Sequence, residues 1–193
     1  QITMRGLVTG GAGFIGSHLC DRLLSLDHRV VALDDLSTGS VENVSHAKAN
    51  PKFSLVPAEV VNNWRAVAEH VDWADAVVHL AAVVGVENVV RNRTKVLERN
   101  VRATEGVLDM ASKKGKTVLV ASTGEVYGKS PPGALREGQD IVLGDPSMTR
   151  WAYAVSKLMD EATALSYHRE RGLPVVVARI FNTVGPRQTG RWG

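Results

Sequence analysis

A tyrosine and a lysine four positions apart, Tyr153 and Lys157, are the side chains in this sequence best suited to proton transfer. In the helical pattern around them, residues at i and i+4 share one face, so the two side chains are neighbours. A phenol with a pKa of about 10 is a poor base at neutral pH, but a nearby ammonium and a positively charged ligand favour its phenolate. We therefore expect Tyr153 to take a proton from an alcohol or sugar hydroxyl while a hydride leaves the same carbon. The alternative is an ordinary pair on a surface helix.

A second group of polar side chains, Ser122, Thr123 and Glu125, follows a run of strand length at residues 117–121. Doubly wound sheets bind their ligands at the carboxyl ends of their strands, where these residues are expected. We expect the hydroxyl of Thr123 or Ser122 to bond the substrate oxygen that Tyr153 deprotonates. Glu125 could act as an acid or base. The alternatives are a turn cap for Thr123 and a carboxylate that orients a substrate hydroxyl for Glu125.

A glycine-rich segment at residues 9–16, TGGAGFIG, joins the first predicted strand to the first predicted helix. Gly10 permits a tight turn, Gly13 lets the backbone approach a pyrophosphate, and Gly16 lets helix and strand pack closely. The following helix start offers free N–H groups and its positive dipole end to phosphates. The segment therefore predicts a dinucleotide cradle, and the alternative is a merely structural turn.

Asp34 opens residues 34–39, DDLSTG, at the end of the second predicted strand. A carboxylate there can accept hydrogen bonds from the adenosine ribose hydroxyls and would repel a 2′-phosphate. The sequence therefore favours NAD over NADP. The alternative is a surface aspartate that caps a turn.

The elements that must position these side chains alternate along the chain. Strand-like runs occupy residues 5–9, 29–33, 53–57, 76–80, 117–121 and 175–181, and helical patterns occupy 13–26, 88–114 and 153–171. This alternation is typical of βαβ units on a parallel sheet. The Pro- and Gly-rich residues 129–150 are predicted to form a loop. The sequence thus predicts an α/β fold with a doubly wound, Rossmann-type parallel sheet.

The composition excludes several classes of protein. The chain has 193 residues, of which 44% are hydrophobic and 22% are charged, enough for one sizeable core. No apolar run approaches the length that a membrane helix needs, and we expect a cytoplasmic protein. A single cysteine, Cys20, excludes an internal disulfide and a cysteine metal site. The six histidines lack ligand-like spacing, so no metal is expected.

The net charge of +3 is mild for a nucleic-acid-binding protein. One basic cluster exists, made of Arg91, Arg93, Lys95, Arg99 and Arg102. We interpret it as a solvated helix face, and expect neither a nucleic acid nor a membrane as a partner.

Taken together, these motifs resemble the extended short-chain dehydrogenase/reductase family, specifically its NAD-dependent nucleotide-sugar epimerase/dehydratase branch. The resemblance runs from Arg5 to the end of the chain. Its motifs are residues 9–16, residues 34–39, His79-Leu80-Ala81-Ala82, Asn100-Val101, residues 122–128, the Tyr153 and Lys157 pair, and residues 179–187. It implies a Rossmann-type domain over residues 1–182. It also implies that residues 183–193 begin the substrate-binding portion, most of which is missing from this chain.

The resemblance also implies roles for matching positions. Thr123, Tyr153 and Lys157 would be catalytic, together with Glu125. The cofactor would be held by Gly10, Gly13, Phe14, Ile15, Gly16, Asp34, Asp35, Leu36, Ser37, Thr38, Gly39, Glu59, Val60, Leu80, Ala81, Ala82, Asn100, Ser122, Tyr153 and Lys157. The substrate would contact Val84, Thr123, Glu125, Asn182 and Arg187. Glu59 departs from the aspartate that the family usually has near adenine.

For the reaction, the resemblance implies oxidation of a sugar at C4, after which family members diverge. Dehydratases carry an Asp-Glu pair after the catalytic threonine, but Gly124 replaces that aspartate here. UDP-glucuronate decarboxylases usually carry serine at that position. A 4-epimerase needs room for the keto sugar to turn, which Gly124 would supply. The sequence therefore favours a UDP-sugar 4-epimerase acting on UDP-glucose, UDP-galactose or UDP-glucuronate. A UDP-glucuronate decarboxylase, which Glu125 fits better, and a non-catalytic NAD-binding regulator are the alternatives.

The helices expected around residues 88–114 and 153–171 are also candidates for assembly. The resemblance implies that they form the four-helix interface of a homodimer.

Overall fold

The computed structural model describes residues 2–83 and 93–189. These two ranges contain six strands: β1 (Arg5–Thr9), β2 (Arg29–Asp34), β3 (Phe53–Pro57), β4 (Ala76–His79), β5 (Thr117–Thr123) and β6 (Val175–Ile180). The α-helices are α1 (Phe14–Ser25), α2 (Trp64–Trp73), α3 (Arg93–Lys113) and α4 (Trp151–Arg171), and two 3₁₀ helices span Val41–Ala49 and Gly124–Tyr127.

The strands form one parallel sheet in the order β3-β2-β1-β4-β5-β6. The chain moves outward from β1 to β3 and then returns to place β4 on the other side of β1. Such a reversal of strand order opens a crevice at the carboxyl ends of the strands, which is where ligands bind in doubly wound sheets. The predicted Rossmann-type fold is confirmed.

Apolar side chains cover both faces of the sheet, as a parallel sheet requires. Leu7 belongs to a core with residues of α2, α3 and α4, whereas its neighbour Val8 belongs to a core with residues of α1 and the first 3₁₀ helix. Successive strand residues point to opposite faces, so uninterrupted apolar strands are what this burial demands.

The predicted element ends differ from the observed ones by a few residues. β2 and β5 continue to Asp34 and Thr123, so both of these candidate site residues end a strand instead of following it. The predicted helix at 88–114 lies partly outside the described residues, and α3 accounts for the part from Arg93. Residues 129–150 contain no helix or strand of their own, as predicted, and only an isolated bridge joins Gly128 to Val142.

Three helices were not predicted: α2 and the two 3₁₀ helices, Val41–Ala49 and Gly124–Tyr127. In α2, Val67 and Val71 lie on one face and are fully buried, so the helical periodicity was available in the sequence. None of the helices described here combines the length and apolarity that crossing a membrane requires.

Candidate functional site

A cavity of about 1130 Å³ lies along the carboxyl ends of the strands. It brings together most of the residues that the sequence proposed for the cofactor: Gly10, Gly13, Phe14, Ile15, Gly16, Asp34, Asp35, Ser37, Thr38, Glu59, Val60, Leu80, Ala81, Ala82, Asn100, Ser122, Tyr153 and Lys157. The proposed substrate residues Thr123, Glu125, Asn182 and Arg187 line the same cavity. Val84 lies outside the described residues.

The glycine segment forms a tight cradle between β1 and α1. Gly10 has a φ of +72°, and a Cβ on it would lie 2.9 Å from the Ala81 nitrogen. A Cβ on Gly16 would lie 2.1 Å from the Gly10 carbonyl oxygen. Gly13 caps α1 without any side-chain hydrogen bond to the helix start. The first N–H groups of α1 therefore remain available to an anionic group in the cavity, as a dinucleotide pyrophosphate requires.

Asp34 lies at the expected ribose position, but its carboxylate also organises the backbone around it. Oδ2 accepts the Ala12 N–H at 2.9 Å, and Oδ1 accepts the Leu36 N–H at 2.8 Å. Each carboxylate oxygen has a second lone pair and can still accept a ribose hydroxyl. Burial raises the pKa of Asp34 above its ordinary value, while its backbone hydrogen bonds oppose that shift.

Leu36 and Gly39, also assigned to the cofactor, are not among the residues that line the cavity. Leu36 has a φ of +60° and presents its N–H to Asp34. Gly39 packs on the glycine segment, because a Cβ there would lie 2.9 Å from the Ala12 carbonyl. Both residues therefore support the cradle through these backbone contacts.

At the β3 end of the cavity, Glu59 is engaged by two neighbours. The Arg99 guanidinium of α3 and the Asn62 amide each donate to its carboxylate. Val60 beside it is buried. A carboxylate held in this way is a pre-oriented acceptor at this end of the cavity, and the contact of Glu59 with adenine stays a prediction.

Asn100 fixes the chain as it leaves β4. Its Oδ1 accepts the Val83 N–H at 2.7 Å, and its Nδ2 donates to the Val83 carbonyl and to Ser156 Oγ, both at 3.3 Å. The side chain is 1% exposed. Asn100 thus ties the residues after β4 to α3 and to α4, the helix that carries Tyr153 and Lys157.

The reacting centre combines β5, the second 3₁₀ helix and α4. Thr123 ends β5, and its Oγ1 accepts the Glu125 N–H at 3.2 Å, so the turn-capping role is realised in this structure. Tyr153 and Glu125 line the same cavity, and Glu125 is close enough for its charge to raise the pKa of Tyr153. Burial raises the pKa of Glu125 itself.

Lys157 is almost fully buried and is paired with a residue that the sequence analysis did not single out. Its Nζ lies 3.1 Å from Oδ2 of Asp160, one helical turn along α4, and both side chains are at most 2% exposed. Burial raises the pKa of Tyr153, and the charges of Glu125 and Asp160 act in the same direction. The lowered pKa expected for Tyr153 from Lys157 is therefore not found, because burial and these two negative charges act against it.

The Ser122 hydroxyl is engaged by a residue of α4, so it does not share with Thr123 the expected role of bonding the substrate oxygen. Its hydroxyl donates to Glu161 of α4, whose carboxylate also binds the Arg179 guanidinium at 2.8 Å. Burial and this bond leave the Thr123 hydroxyl as the better candidate for the substrate oxygen. Glu161 was not identified from the sequence, and its short hydrogen bond to β5 joins α4 to the sheet.

The two predicted substrate residues after β6 differ in their partners. Asn182 lines the cavity, and its neighbour Phe181 packs against Gly124. Arg187, with a φ of +69°, also lines the cavity, but its guanidinium pairs with Asp21 of α1 at 2.7 Å. In this structure Arg187 therefore anchors the segment after β6 to α1.

His79 is packed at the end of β4. It is 1% exposed, and its Nδ1 lies 2.7 Å from the Thr9 hydroxyl. Burial lowers its pKa to about 3, so it stays neutral at physiological pH. Burial likewise raises the pKa of Cys20 to about 12, which makes it an unreactive thiol. The part of the chain that the structure describes holds no cluster of side chains suited to a metal ion.

The basic cluster of the sequence is not one solvated face. Lys95 and Arg99 line the cavity, Arg99 pairs with Glu59, and Arg93 donates to the Ser147 carbonyl at 3.0 Å. Arg91 lies outside the described residues. Part of this positive charge therefore faces the ligand cavity.

Comparison with known proteins gives a consistent relationship. A family profile described as NAD dependent epimerase/dehydratase family matches residues 6–191. A UDP-N-acetyl-alpha-D-glucosaminuronate decarboxylase of Bacillus cytotoxicus is 38% identical over 183 residues, which is 95% of this chain and 56% of that protein. The chain thus spans a little over half the length of this relative.

Solved structures agree in fold and include cofactor complexes. DesIV, a dTDP-glucose 4,6-dehydratase from Streptomyces venezuelae solved with NAD bound, has a TM-score of 0.86 and 34% identity, over 96% of this chain and 58% of that one. A UDP-glucuronic acid 4-epimerase from Bacillus cereus, solved with UDP-glucuronic acid and NAD, has a TM-score of 0.85 and 30% identity, over 96% of this chain and 59% of that one. The cradle, the cavity and these matches together show that the chain belongs to the NAD dependent epimerase/dehydratase family, whose cofactor is NAD.

Proposed function

We propose that the full-length protein oxidises C4 of a UDP-linked sugar and, when the sugar is a hexuronate, releases its carboxyl group as carbon dioxide. The observation that carries this proposal is that Tyr153, Thr123 and Glu125 line the same cavity as the dinucleotide cradle. The sequence favoured a 4-epimerase. The relative from Bacillus cytotoxicus bears the name of a decarboxylase. This supports the decarboxylase alternative, which Glu125 also fits better.

In the first step, the Tyr153 oxygen takes the proton of the C4 hydroxyl while Thr123 holds the same oxygen. Bound NAD would supply the hydride acceptor at C4 and later return the hydride to the sugar. The chain's own contribution is orientation: the free amides at the start of α1 and Asp34 would hold the diphosphate and ribose, and Asn100 and Lys157 would hold the wall beside Tyr153.

Oxidation at C4 makes a hexuronate a β-keto acid. The C5–C6 bond then breaks, carbon dioxide leaves, its bonding electrons form an enolate between C4 and C5, and C5 takes up a proton. A protonated carboxyl near C5 would supply that proton. Glu125 suits this task because it lines the cavity, and desolvation raises its pKa above its ordinary value.

A 4-epimerase is the second candidate, and Gly124 is the observation in its favour. No acid stands at this position to promote elimination. However, the space beside Gly124 is taken by the Phe181 ring, since a Cβ on Gly124 would lie 2.7 Å from it. Room for a turning sugar would require Phe181 to move, and its side chain is 55% exposed.

Product analysis distinguishes the two reactions. Full-length protein incubated with NAD and UDP-glucuronate is expected to release carbon dioxide and a UDP-pentose. Formation of the C4 epimer of UDP-glucuronate without carbon dioxide would instead identify an epimerase. Glu125→Gln should slow carbon dioxide release while leaving NAD binding unchanged, because the amide cannot donate the proton. If Glu125→Gln releases carbon dioxide at the wild-type rate, Glu125 is not the acid.

We also propose a homodimer formed through α3 and α4. Val155 and Met159 lie one turn apart on α4 and are 41% and 52% exposed, an apolar surface that a second copy could cover. Sedimentation velocity checks this: full-length wild type should sediment as a dimer and Met159→Glu as a folded monomer. A wild-type monomer at micromolar concentration would contradict the proposal.

A further inference from the structure

We propose that Arg150 recognises the carboxylate of an acidic sugar, and so selects UDP-hexuronates over neutral UDP-hexoses. This inference rests on the proposed function, because it assigns a substrate class to the same cavity. It concerns a residue that neither the Tyr153 and Lys157 pair nor the glycine cradle includes.

Arg150 is placed directly beside the reacting centre. It is the N-cap residue of α4, three positions before Tyr153, and it lines the cavity together with Tyr153 and Glu125. Its positive charge acts on Glu125, whose pKa it lowers against the effect of burial. An anionic sugar substituent that reaches Glu125 would therefore enter the field of the Arg150 guanidinium.

The guanidinium has an ordered support. It lies over the Trp151 ring, with 4.7 Å between the guanidinium carbon and the ring centroid. Trp151 is 8% exposed, and it packs so tightly on Gly144 that a Cβ there would lie 2.1 Å from its Nε1. A stacked guanidinium loses less freedom when it binds a carboxylate than a freely moving one does.

Arg150 is also available for a ligand, unlike the other arginines and the lysine near the reacting centre. Arg99 pairs with Glu59, Arg187 with Asp21 and Lys157 with Asp160. Within residues 2–83 and 93–189, no carboxylate pairs with Arg150 or with Lys95 among the cations of the cavity. Lys95 lies four positions before Arg99, on the same face of α3. Arg150 is thus the unpaired cation on the Glu125 side.

A substrate carboxylate bound to Arg150 would also affect Glu125. It would neutralise the charge that lowers the pKa of Glu125, and would so favour the protonated carboxyl. The acid that delivers a proton to C5 would then form when the acidic substrate is bound. Recognition and proton supply would be linked through one guanidinium.

Direct binding measurements test the assignment. In full-length protein carrying Tyr153→Phe to prevent turnover, with NAD present, isothermal titration calorimetry gives the Kd for UDP-glucuronate and for UDP-glucose. Adding Arg150→Gln should weaken the binding of UDP-glucuronate about 10- to 100-fold, the loss expected for a hydrogen bond to a charged group. The Kd for UDP-glucose should stay the same. Arg150→Lys should restore part of the discrimination because it keeps the charge.

The controls separate this proposal from a loss of fold and from failure of the proposed function. Arg169→Gln removes an exposed arginine at the other end of α4 and should change neither Kd. Equal weakening of both ligands, or no change in either, would overturn the assignment of Arg150. If instead the selective loss is found while the unmutated protein turns over neither sugar, the carboxylate site stands and the proposed reaction is wrong.

Discussion

Tyr153→Phe is expected to lower the turnover of the UDP-sugar by about 10²- to 10⁴-fold, the usual contribution of a general base. The phenylalanine ring preserves the shape of the cavity wall and removes only the oxygen that receives the C4 hydroxyl proton. NAD binding should remain within a few-fold of wild type, because the cradle of Gly10, Gly13 and Gly16 lies on other elements. Steady-state kinetics and calorimetry with NAD measure the two quantities separately.

The pH dependence of sugar oxidation should reveal the same oxygen. Burial, Glu125 and Asp160 all raise the pKa of Tyr153, and Lys157 is paired with Asp160. The phenolate is the reactive form, so its fraction grows as the pH rises towards that raised pKa. The single-turnover rate of oxidation should therefore increase with pH through the neutral range. This rise should disappear in Tyr153→Phe.

Tyr167→Phe is the matched control. Tyr167 lies on the same helix, and the Arg171 guanidinium stacks on its ring at 4.4 Å, a contact that phenylalanine keeps. This variant should retain wild-type turnover and pH profile. Wild-type turnover in Tyr153→Phe would remove Tyr153 from the mechanism. A wild-type protein that binds NAD but converts no UDP-sugar would favour the regulator considered from the sequence.

How far the sequence predicted the site depended on whether the contacts were local. The glycine segment, Asp34 and the Tyr153 and Lys157 pair could be recognised because each is a short motif attached to a strand end or a helix turn. Parallel strands bring their carboxyl ends to one edge, so these separate motifs were expected to meet. They do line one cavity.

Contacts between distant parts of the chain could not be predicted. Glu59 and Arg99 are 40 positions apart, and only the tertiary fold brings the segment after β3 and α3 together. Arg187 was assigned to the substrate from its motif, yet it reaches Asp21 across the molecule. A sequence pattern does not show which of several carboxylates will pair with the guanidinium of a long arginine side chain.

The burial of individual side chains was the other property that the sequence could not show. Asp160 lies three positions after Lys157, a spacing that on most helices describes a solvated pair worth little. Here both side chains are at most 2% exposed, and the charge of Asp160 adds to burial and Glu125 in raising the pKa of Tyr153. Similarly, the motif of residues 34–39 did not show that the Leu36 N–H bonds Asp34 or that Gly39 packs closely on Ala12.

Gly16→Ala is expected to have the other large effect, on both stability and NAD binding. Its Cβ would lie 2.1 Å from the Gly10 carbonyl oxygen and 2.9 Å from the Gly11 Cα, all backbone atoms that no side-chain rotation can move aside. Gly10 cannot retreat, because it lies against the Ala81 backbone and its N–H bonds the Leu33 carbonyl at 2.8 Å. We expect a loss of about 3 kcal/mol in the free energy of unfolding, at the upper end for overpacking.

The same displacement should weaken NAD binding about 100-fold, because the strain of restoring the cradle opposes binding. Each 1.4 kcal/mol of strain lowers the affinity by about a factor of ten. Gly13→Ala separates the two effects: its Cβ would meet only the Gly10 carbonyl, at 3.2 Å, and otherwise enters the cavity. It should therefore weaken NAD while nearly preserving stability. Gly138→Ala, where a Cβ meets nothing within 4 Å, should leave both quantities unchanged. Chemical denaturation and calorimetry measure them, and wild-type NAD affinity in both Gly13→Ala and Gly16→Ala would mean that phosphates do not lie against this cradle.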